Sequence, residues 1–348
     1  METPRLRVAL VGCGPIADMH VLGWTSIPGV ELVALCDRHP EHFSRFISTH
    51  AARNVYTDFA ELLSREQIDA VDIATRPYSH LELVRQSAAA GKHVLCQKPF
   101  ADTREEALEM IDACERAGVR LMVYENWRWF AWFQEIKKLL GSGRIGEIKY
   151  YRLVSRSGLT IPSAGHPAPI LSDKQTYLKD VAHLLVYEFA IHLIDVARFL
   201  FGEADRVFAR IGRMSSVIHG DDYALVVLDH GKVNGCVDVS WCSREPLSAG
   251  KSESLLIEGT TGSIILETSG RIRVVTGEKG PEYHRYDWRG ETKLKSHIRV
   301  HEHFVSCLLE GRPFQTEARD NLRTLDITLK CYDSAAGNSA LDLASPYA

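Results

Sequence analysis

The segment Leu6-Arg7-Val8-Ala9-Leu10-Val11-Gly12-Cys13-Gly14-Pro15-Ile16-Ala17 decides the reading of this chain. Its aliphatic, β-branched first half reads as a buried strand, and the Gly-x-Gly-x-x-Ala turn that follows opens a helix. Each small residue has a physical task there. Gly12 permits a tight bend, Gly14 leaves the backbone open to a pyrophosphate, and Ala17 lets the helix pack closely on the strand, with Pro15 and Ile16 completing the turn. The next apolar run, Val30 to Cys36, ends on Asp37, about 20 residues on, where a carboxylate accepts hydrogen bonds from a ribose diol. A tight turn alone would need only the glycines; the strand, the helix and Asp37 together point to a dinucleotide. Asp37 favours NAD because a carboxylate repels a 2′-phosphate, while Arg38 beside it leaves NADP open.

Outward from this segment, short apolar runs (Ala70 to Ala74, His93 to Cys96, Val119 to Val123) alternate with amphipathic stretches (Glu41 to His50, Phe59 to Leu63, Leu81 to Ala90, Arg104 to Ala117). Strict strand and helix alternation predicts a Rossmann-like, doubly wound parallel sheet. Past Asn126 the rhythm changes. One short helix, Phe133 to Leu140, leads into strand-like runs at Lys149 to Ser155, Arg206 to Met214, Tyr223 to Leu228, Asn234 to Trp241, Glu253 to Glu258, Gly262 to Glu267 and Ile272 to Val275. With turn residues between them, these predict a large, mostly antiparallel sheet. Helices at His297 to Leu309 and Glu317 to Ala336 close the chain. The expectation is therefore an α/β chain with a nucleotide-binding domain over residues 1–125 and an α+β domain for substrate binding and oligomerisation over 126–348. The Pro-containing loop from Gly158 to Gln175 is long enough to suggest a functional role.

Composition narrows the function classes. A length of 348 residues suits two domains, and 45% hydrophobic with 25% charged residues supplies material for two cores. A net charge of −4 without a block of Lys and Arg argues against nucleic acid. No stretch is apolar enough to span a bilayer, and Met1 to Arg5 runs straight into a strand, so a cytoplasmic protein without membrane attachment is expected. None of the eight cysteines forms a Cys-x-x-Cys pair, and Cys36, Cys96 and Cys236 sit in apolar runs, as reduced core residues do.

Two further places carry chemistry. The run His93 to Cys96 delivers Gln97-Lys98-Pro99 to the carboxyl edge of the sheet, where ligands of open α/β sheets bind. A Lys beside a cationic nicotinamide ring exchanges protons readily, although an isolated Lys-Pro also fits a surface turn. In the predicted helix Tyr187 to Leu200, Glu188 and His192 lie four apart and share a face, opposite an apolar stripe of Leu193, Val196, Ala197 and Leu200. A carboxylate beside an imidazole suits acid/base work, and a solvated surface pair is the alternative. No metal site is expected: Glu188 and His192 lack further ligands at recognisable spacing, and His301 and His303, two apart on a helix, diverge. Trp127, Trp129 and Trp132 read as packing, with Trp127 kept as a sugar contact. Asp221-Asp222 reads as a turn that starts a strand.

The fingerprint with Asp37, the run Gly91 to Pro99, Ile73-Ala74-Thr75 with His80, Asn126 with Arg128, His192 in Ala190 to Asp195, and the closing Tyr332 to Gly337 resemble the Gfo/Idh/MocA oxidoreductase family over nearly the whole chain. Within it, Gln-Lys-Pro, Glu-x-x-x-His and Glu125-Asn126-Trp127-Arg128 look most like the D-apiose dehydrogenase subgroup. The resemblance implies that Thr75, His80, Gln97, Lys98 and Asn126 join the cofactor set. It also places Lys98, Trp127, Arg128, Glu188 and His192 around a substrate. Three departures stand out: Gln97 replaces a usual Glu, His183-Leu184 stands for Gly-Gly, and Glu188 stands for Asp. Loss of the negative charge beside Lys98 favours its neutral form slightly.

These readings combine in an NAD-dependent dehydrogenase of a sugar or polyol, with His192 as the base, Lys98 stabilising the developing alkoxide, and Glu188 orienting His192 or holding a neighbouring hydroxyl. The resemblance leads to a tight bend and a cis bond at Lys98-Pro99. A homodimer or homotetramer through the second sheet is expected. A glycosidase that oxidises its substrate transiently, or an NAD sensor without turnover, are the alternatives on the same scaffold.

Overall fold

The computed structural model describes residues 6–47, 52–163, 165–171, 176–244, 253–277, 279–285 and 291–343. The chain divides into two units, residues 1–126 with 294–323, and residues 127–293 with 324–348.

In the first unit, strands β1 (Leu6–Val11), β2 (Val30–Cys36), β3 (Asn54–Tyr56), β4 (Ala70–Ile73), β5 (His93–Gln97) and β6 (Leu121–Tyr124) form a six-stranded sheet in the order β3-β2-β1-β4-β5-β6. Every pairing is parallel. Helices α1 (Ala17–Thr25), α2 (Ser44–Ile47), α3 (Phe59–Arg65), α4 (His80–Ala89) and α5 (Arg104–Arg116) lie between the strands. The central strands are buried on both sides, which is why their sequences run apolar without alternation. Asp58 and Thr103 accept the N–H of Glu61 and Glu106 and so cap α3 and α5. The segment expected to be one helix from Glu41 to His50 is a 3₁₀ turn, Pro40–Phe43, followed by α2; residues 48–50 lie outside the described residues.

In the second unit, α6 (Ala131–Gly141) precedes β7 (Ile148–Arg156), and α7 (Ile191–Phe201) precedes β8 (Arg206–Gly212). Strands β9 (Tyr223–Asp229), β10 (Asn234–Ser240), β11 (Glu253–Gly259), β12 (Gly262–Leu266), β13 (Arg271–Thr276), β14 (Lys279–Arg285) and β15 (Leu341–Asp342) complete a nine-stranded sheet in the order β14-β13-β12-β11-β7-β10-β9-β8-β15. Only β7 and β10 pair in parallel. One face, with Val226, Leu228, Val237, Val239, Leu255 and Ile257, packs on α6 and α7. Alternation turns Tyr223, Leu225 and Val227 of β9 to the other face, where they are 42%, 42% and 38% exposed.

Helix α8 (Glu291–Glu310) and the start of α9 (Ala318–Gly337) return to the first unit, so residues 294–323 do not follow the expected division at 125/126. Long-range contacts explain the return. Thr316 accepts the N–H of Val123 through its carbonyl, Arg120 donates to the carbonyls of Cys307 and Arg312, and His301 is fully buried against α1. No helix among the described residues is long and apolar enough to cross a membrane.

The fit between α1 and α8 hinges on Gly23, because a Cβ there would overlap the His301 ring. Ala normally stabilises a helix interior by about 0.5–1 kcal/mol relative to Gly. Gly23→Ala is expected instead to destabilise by about 1–3 kcal/mol through overpacking. Calorimetry decides the sign, and an unchanged or raised Tm would refute this packing.

Candidate active site

The fingerprint turn is built by backbone crowding. Gly12 has φ +97°, and a Cβ on it would lie 2.7 Å from the carbonyl carbon and oxygen of Ala74. Its N–H bonds the Cys36 carbonyl at 2.8 Å, and Ala74 N–H bonds the Val11 carbonyl at 2.7 Å, which locks the ends of β1, β2 and β4 together. Gly14, by contrast, has nothing within 4 Å of where a Cβ would be. The open space lies at the start of α1, where the helix dipole favours an anion. These features fit a dinucleotide pyrophosphate.

Asp37 closes the turn from behind. Its carboxylate accepts the N–H of Cys13 at 2.7 Å and of His39 at 2.9 Å, and lies 3.1 Å from His42 Nδ1. Burial pulls this carboxyl up, but the hydrogen bonds from Cys13, His39 and His42 prevail and hold it below its ordinary value. It is therefore an anion at neutral pH, suited to a ribose diol and unsuited to a phosphate. The exposed Arg38 reaches the Tyr78 hydroxyl at 3.3 Å. Sequence reading missed Arg45, whose guanidinium donates to the carbonyls of Cys13 at 2.9 Å and Gly14 at 2.6 Å and to Asp18 at 2.8 Å. Its only sequence signal is a cation on the helix after β2.

At the ends of β4 and β5 the expected residues separate into two groups. Thr75 is half-buried, with its hydroxyl accepting that of Ser79 at 2.8 Å, and Lys98 is half-buried beside a cis Lys98-Pro99 bond. His80, expected in the cofactor set, is fully buried with its ring nitrogens 3.1 Å from the carbonyls of Thr75 and Phe100. Burial lowers its pKa, so it is neutral and donates to one carbonyl at a time. With no exposed surface it holds the two loops together rather than touching a cofactor. Gln97 accepts the Lys98 N–H at 2.8 Å, and Asn126 donates to Ser296 Oγ at 3.2 Å.

In the second unit, Trp127 opens a 3₁₀ turn, Trp127–Trp129, and its ring lies parallel to that of His192 at 5.0 Å and 8°. Phe189 meets the other side of Trp127 edge-on at 5.3 Å. The helix expected from Tyr187 to Leu200 starts as a π turn, Val186–Ala190, before α7. Glu188 sits in that turn, so the spacing to His192 is not that of one α-helical turn. The carboxylate of Asp221 holds the turn from outside. It accepts the N–H of Leu184 at 2.8 Å and of Val186 at 2.9 Å, and the Tyr332 hydroxyl at 3.1 Å. Asp222 likewise accepts Met214 N–H, Ser215 N–H and the Thr160 hydroxyl, so this pair anchors four segments rather than merely starting a strand.

Arg128, expected to meet substrate, is 5% exposed and donates to both oxygens of fully buried Asp195, Nε at 2.8 Å and Nη2 at 2.6 Å. The fork thereby fixes the Trp127 turn against α7, one turn beyond His192. Among the described residues one cluster has metal-ligand chemistry, the buried set His20, Asp72 and His301. Asp72 Oδ2 already lies 2.7 Å from His20 Nδ1 and accepts Trp24 Nε1–H at 2.6 Å, the geometry of hydrogen bonding rather than coordination.

Removing Asp195 would strand a buried guanidinium. Asp195→Ala is expected to cost about 3–5 kcal/mol, whereas Arg128→Met with Asp195→Leu costs less than the sum of the single changes. Denaturant titration of the three variants measures this, and a loss below about 1 kcal/mol for Asp195→Ala would show that the pair does not anchor the turn.

Residues 6–125 match the oxidoreductase family with an NAD-binding Rossmann fold, and residues 133–265 match the GFO/IDH/MocA C-terminal domain. The D-apiose dehydrogenase of Paraburkholderia graminis is 36% identical over 98% of this chain and 90% of its own length. The D-apiose dehydrogenase of Rhizobium rhizogenes is 32% identical over 99% of both. An oxidoreductase from Agrobacterium radiobacter, solved in complex with NAD+, L-tartaric acid and magnesium, superposes with a TM-score of 0.89 at 32% identity, over 97% of this chain and 98% of that one. The Rossmann sheet, the fingerprint closed on Asp37 and the accompanying antiparallel sheet have one explanation: the chain belongs to the GFO/IDH/MocA family of NAD-dependent oxidoreductases.

Proposed function

We propose that the chain oxidises a CH–OH group of a sugar or polyol, with D-apiose as the first substrate to test. The observation that carries this reading is the 32–36% identity to two D-apiose dehydrogenases over nearly their full length. The tartaric acid bound by the Agrobacterium protein adds hydroxy acids to the panel.

Gly12, Gly14, Pro15, Ile16 and Asp37 would hold NAD, with Thr75, Gln97, Lys98 and Asn126 near its nicotinamide end by family resemblance. When bound, NAD supplies the two-electron acceptor. The protein's part is to bind, orient and move a proton. In this proposal His192 removes the proton from the substrate hydroxyl oxygen, and the Lys98 ammonium stabilises the negative charge that develops there. Glu188 orients His192 or a neighbouring hydroxyl. The Trp127 ring supports the imidazole from one side, and an aromatic face also suits a sugar ring. Association into a dimer or tetramer through the open face with Tyr223, Leu225 and Val227, in a cytoplasmic setting where eight unpaired cysteines persist, completes the reading.

Two sets of variants test it. Lys98→Met and His192→Asn are each expected to lower NAD-linked turnover by about 10²–10⁴-fold with little change in NAD affinity, because both groups act when charge moves. Glu188→Gln should be milder if the amide still orients His192. Near-normal turnover in both Lys98→Met and His192→Asn sinks the mechanism. For the cofactor, the unmodified chain is expected to prefer NAD, and Asp37→Ala to erode that preference. Equal kinetics with NADP before mutation would contradict the role given to Asp37.

A further inference from the structure

Behind Lys98 lies a buried polar chain that the proposed reaction does not use directly. It runs from the Lys98 N–H to Gln97 Oε1 at 2.8 Å, from Gln97 Nε2 to His20 Nε2 at 3.0 Å, and from His20 Nδ1 to Asp72 Oδ2 at 2.7 Å. His20 and Asp72 are fully buried and Gln97 is 8% exposed. Both ends are fixed by groups that only donate. At one end the Lys98 N–H requires the oxygen of the Gln97 amide, so the NH₂ must face His20. An NH₂ facing Nε2 requires that nitrogen to be an acceptor, which leaves the ring proton on Nδ1, pointed at Asp72. At the other end Trp24 Nε1–H donates to the same Asp72 oxygen at 2.6 Å. The chain has one consistent arrangement of protons, with that of the His20 ring on Nδ1.

We propose that Gln97 and His20 are positioning residues that hold the Lys98 backbone, and that the amide at 97 is what fixes the His20 ring proton on Nδ1. The role for Lys98 rests on the dehydrogenase reading above; the proton arrangement does not. Aromatic side chains pack against the His20 ring. Tyr124 of β6 stacks on it at 4.1 Å and 27°, and its hydroxyl is engaged by His297 Nδ1 at 2.8 Å. His301 of α8 meets it edge-on at 5.5 Å and turns its own Nδ1 to the His297 carbonyl at 2.8 Å, 3.6 Å separating its Nε2 from Asp72. Burial lowers the pKa of His301, and the amide at 97 leaves the His20 proton on Nδ1. A carboxylate at 97 would reverse this. Its second oxygen carries no hydrogen for Nε2, and two acceptors on either side of the ring would draw a second proton onto it.

The test uses the full chain labelled with ¹⁵N at histidine and backbone, read by NMR. His20 is identified by the signal lost in His20→Asn, whose side-chain amide can still donate to Asp72 Oδ2. In the unmodified chain His20 is expected with its ring proton on Nδ1 and Nε2 bare. In Gln97→Glu, which preserves shape, both ring nitrogens should be protonated at pH 7. Exchange of the Lys98 amide hydrogen should quicken by about tenfold in His20→Asn. An imidazolium or Nε2–H form in the unmodified chain, an unaltered ring in Gln97→Glu, or unchanged Lys98 exchange in His20→Asn would each overturn the proposal. None of these readouts involves sugar turnover, so failure to oxidise D-apiose would count against the substrate reading alone.

Discussion

A carboxylate taken out of water must find donors, and this protein uses that requirement to tie distant segments together. Asp72, Asp195 and Asp222 are fully buried and Asp221 is 6% exposed. Left unsatisfied, each would cost several kcal/mol. Bonded at one oxygen, as Asp72 is through Oδ2, or at both, each becomes a fixed point. Asp72 gathers α1 and α8 around β4; Asp195 draws the Trp127 turn onto α7; Asp221 holds the π turn, and Asp222 joins the segments at Thr160 and Met214 to β9. Apolar packing supplies most of the driving force in both units, but it is indifferent to small rotations and slips. The directional bonds to buried carboxylates set which side chains stand beside Lys98 in one unit and beside His192 in the other.

The same logic governs the fingerprint. Asp37 serves two ends at once, because the N–H of Cys13 that it accepts shapes the turn and the charge that this bond preserves discriminates between cofactors. Arg45 works from the opposite side by holding the carbonyls of Cys13 and Gly14. With its carbonyls tied back and the Cys13 N–H held by Asp37, the turn keeps one shape beside the open space at Gly14.

Local pattern made much of this legible. Strands β1, β2, β4, β5 and β6 are continuous apolar runs, and the strands of the second sheet alternate, so both sheet types could be read from periods of burial. β3 and β14 escaped because an exposed edge strand has no apolar run to mark it, and Lys279-Gly280-Pro281 reads as a turn. The site was legible where one short motif holds both residue and context, as in Gly12 to Ala17 with Asp37, or Gln97-Lys98-Pro99. It was not legible where the partner is remote in sequence. Nothing near Arg128 announces Asp195, nothing near His20 announces Asp72 and His301, and His80 gives no local sign that two carbonyls enclose its ring. The π turn was hidden for the same reason, since the Asp221 that caps it lies on a later segment.

The two edges of the nine-stranded sheet are both short of pairing capacity. At one end stands β14, with Pro281 in its middle, and at the other β15 contributes two residues. A proline has no N–H to offer a new neighbour, and a two-residue strand offers almost no ladder to extend. Both borders are therefore poor templates for lateral growth, and a sheet this wide escapes the open-ended stacking that exposed edges invite. Its exposed apolar residues, Tyr223, Leu225 and Val227, lie on the broad flank and not on either border.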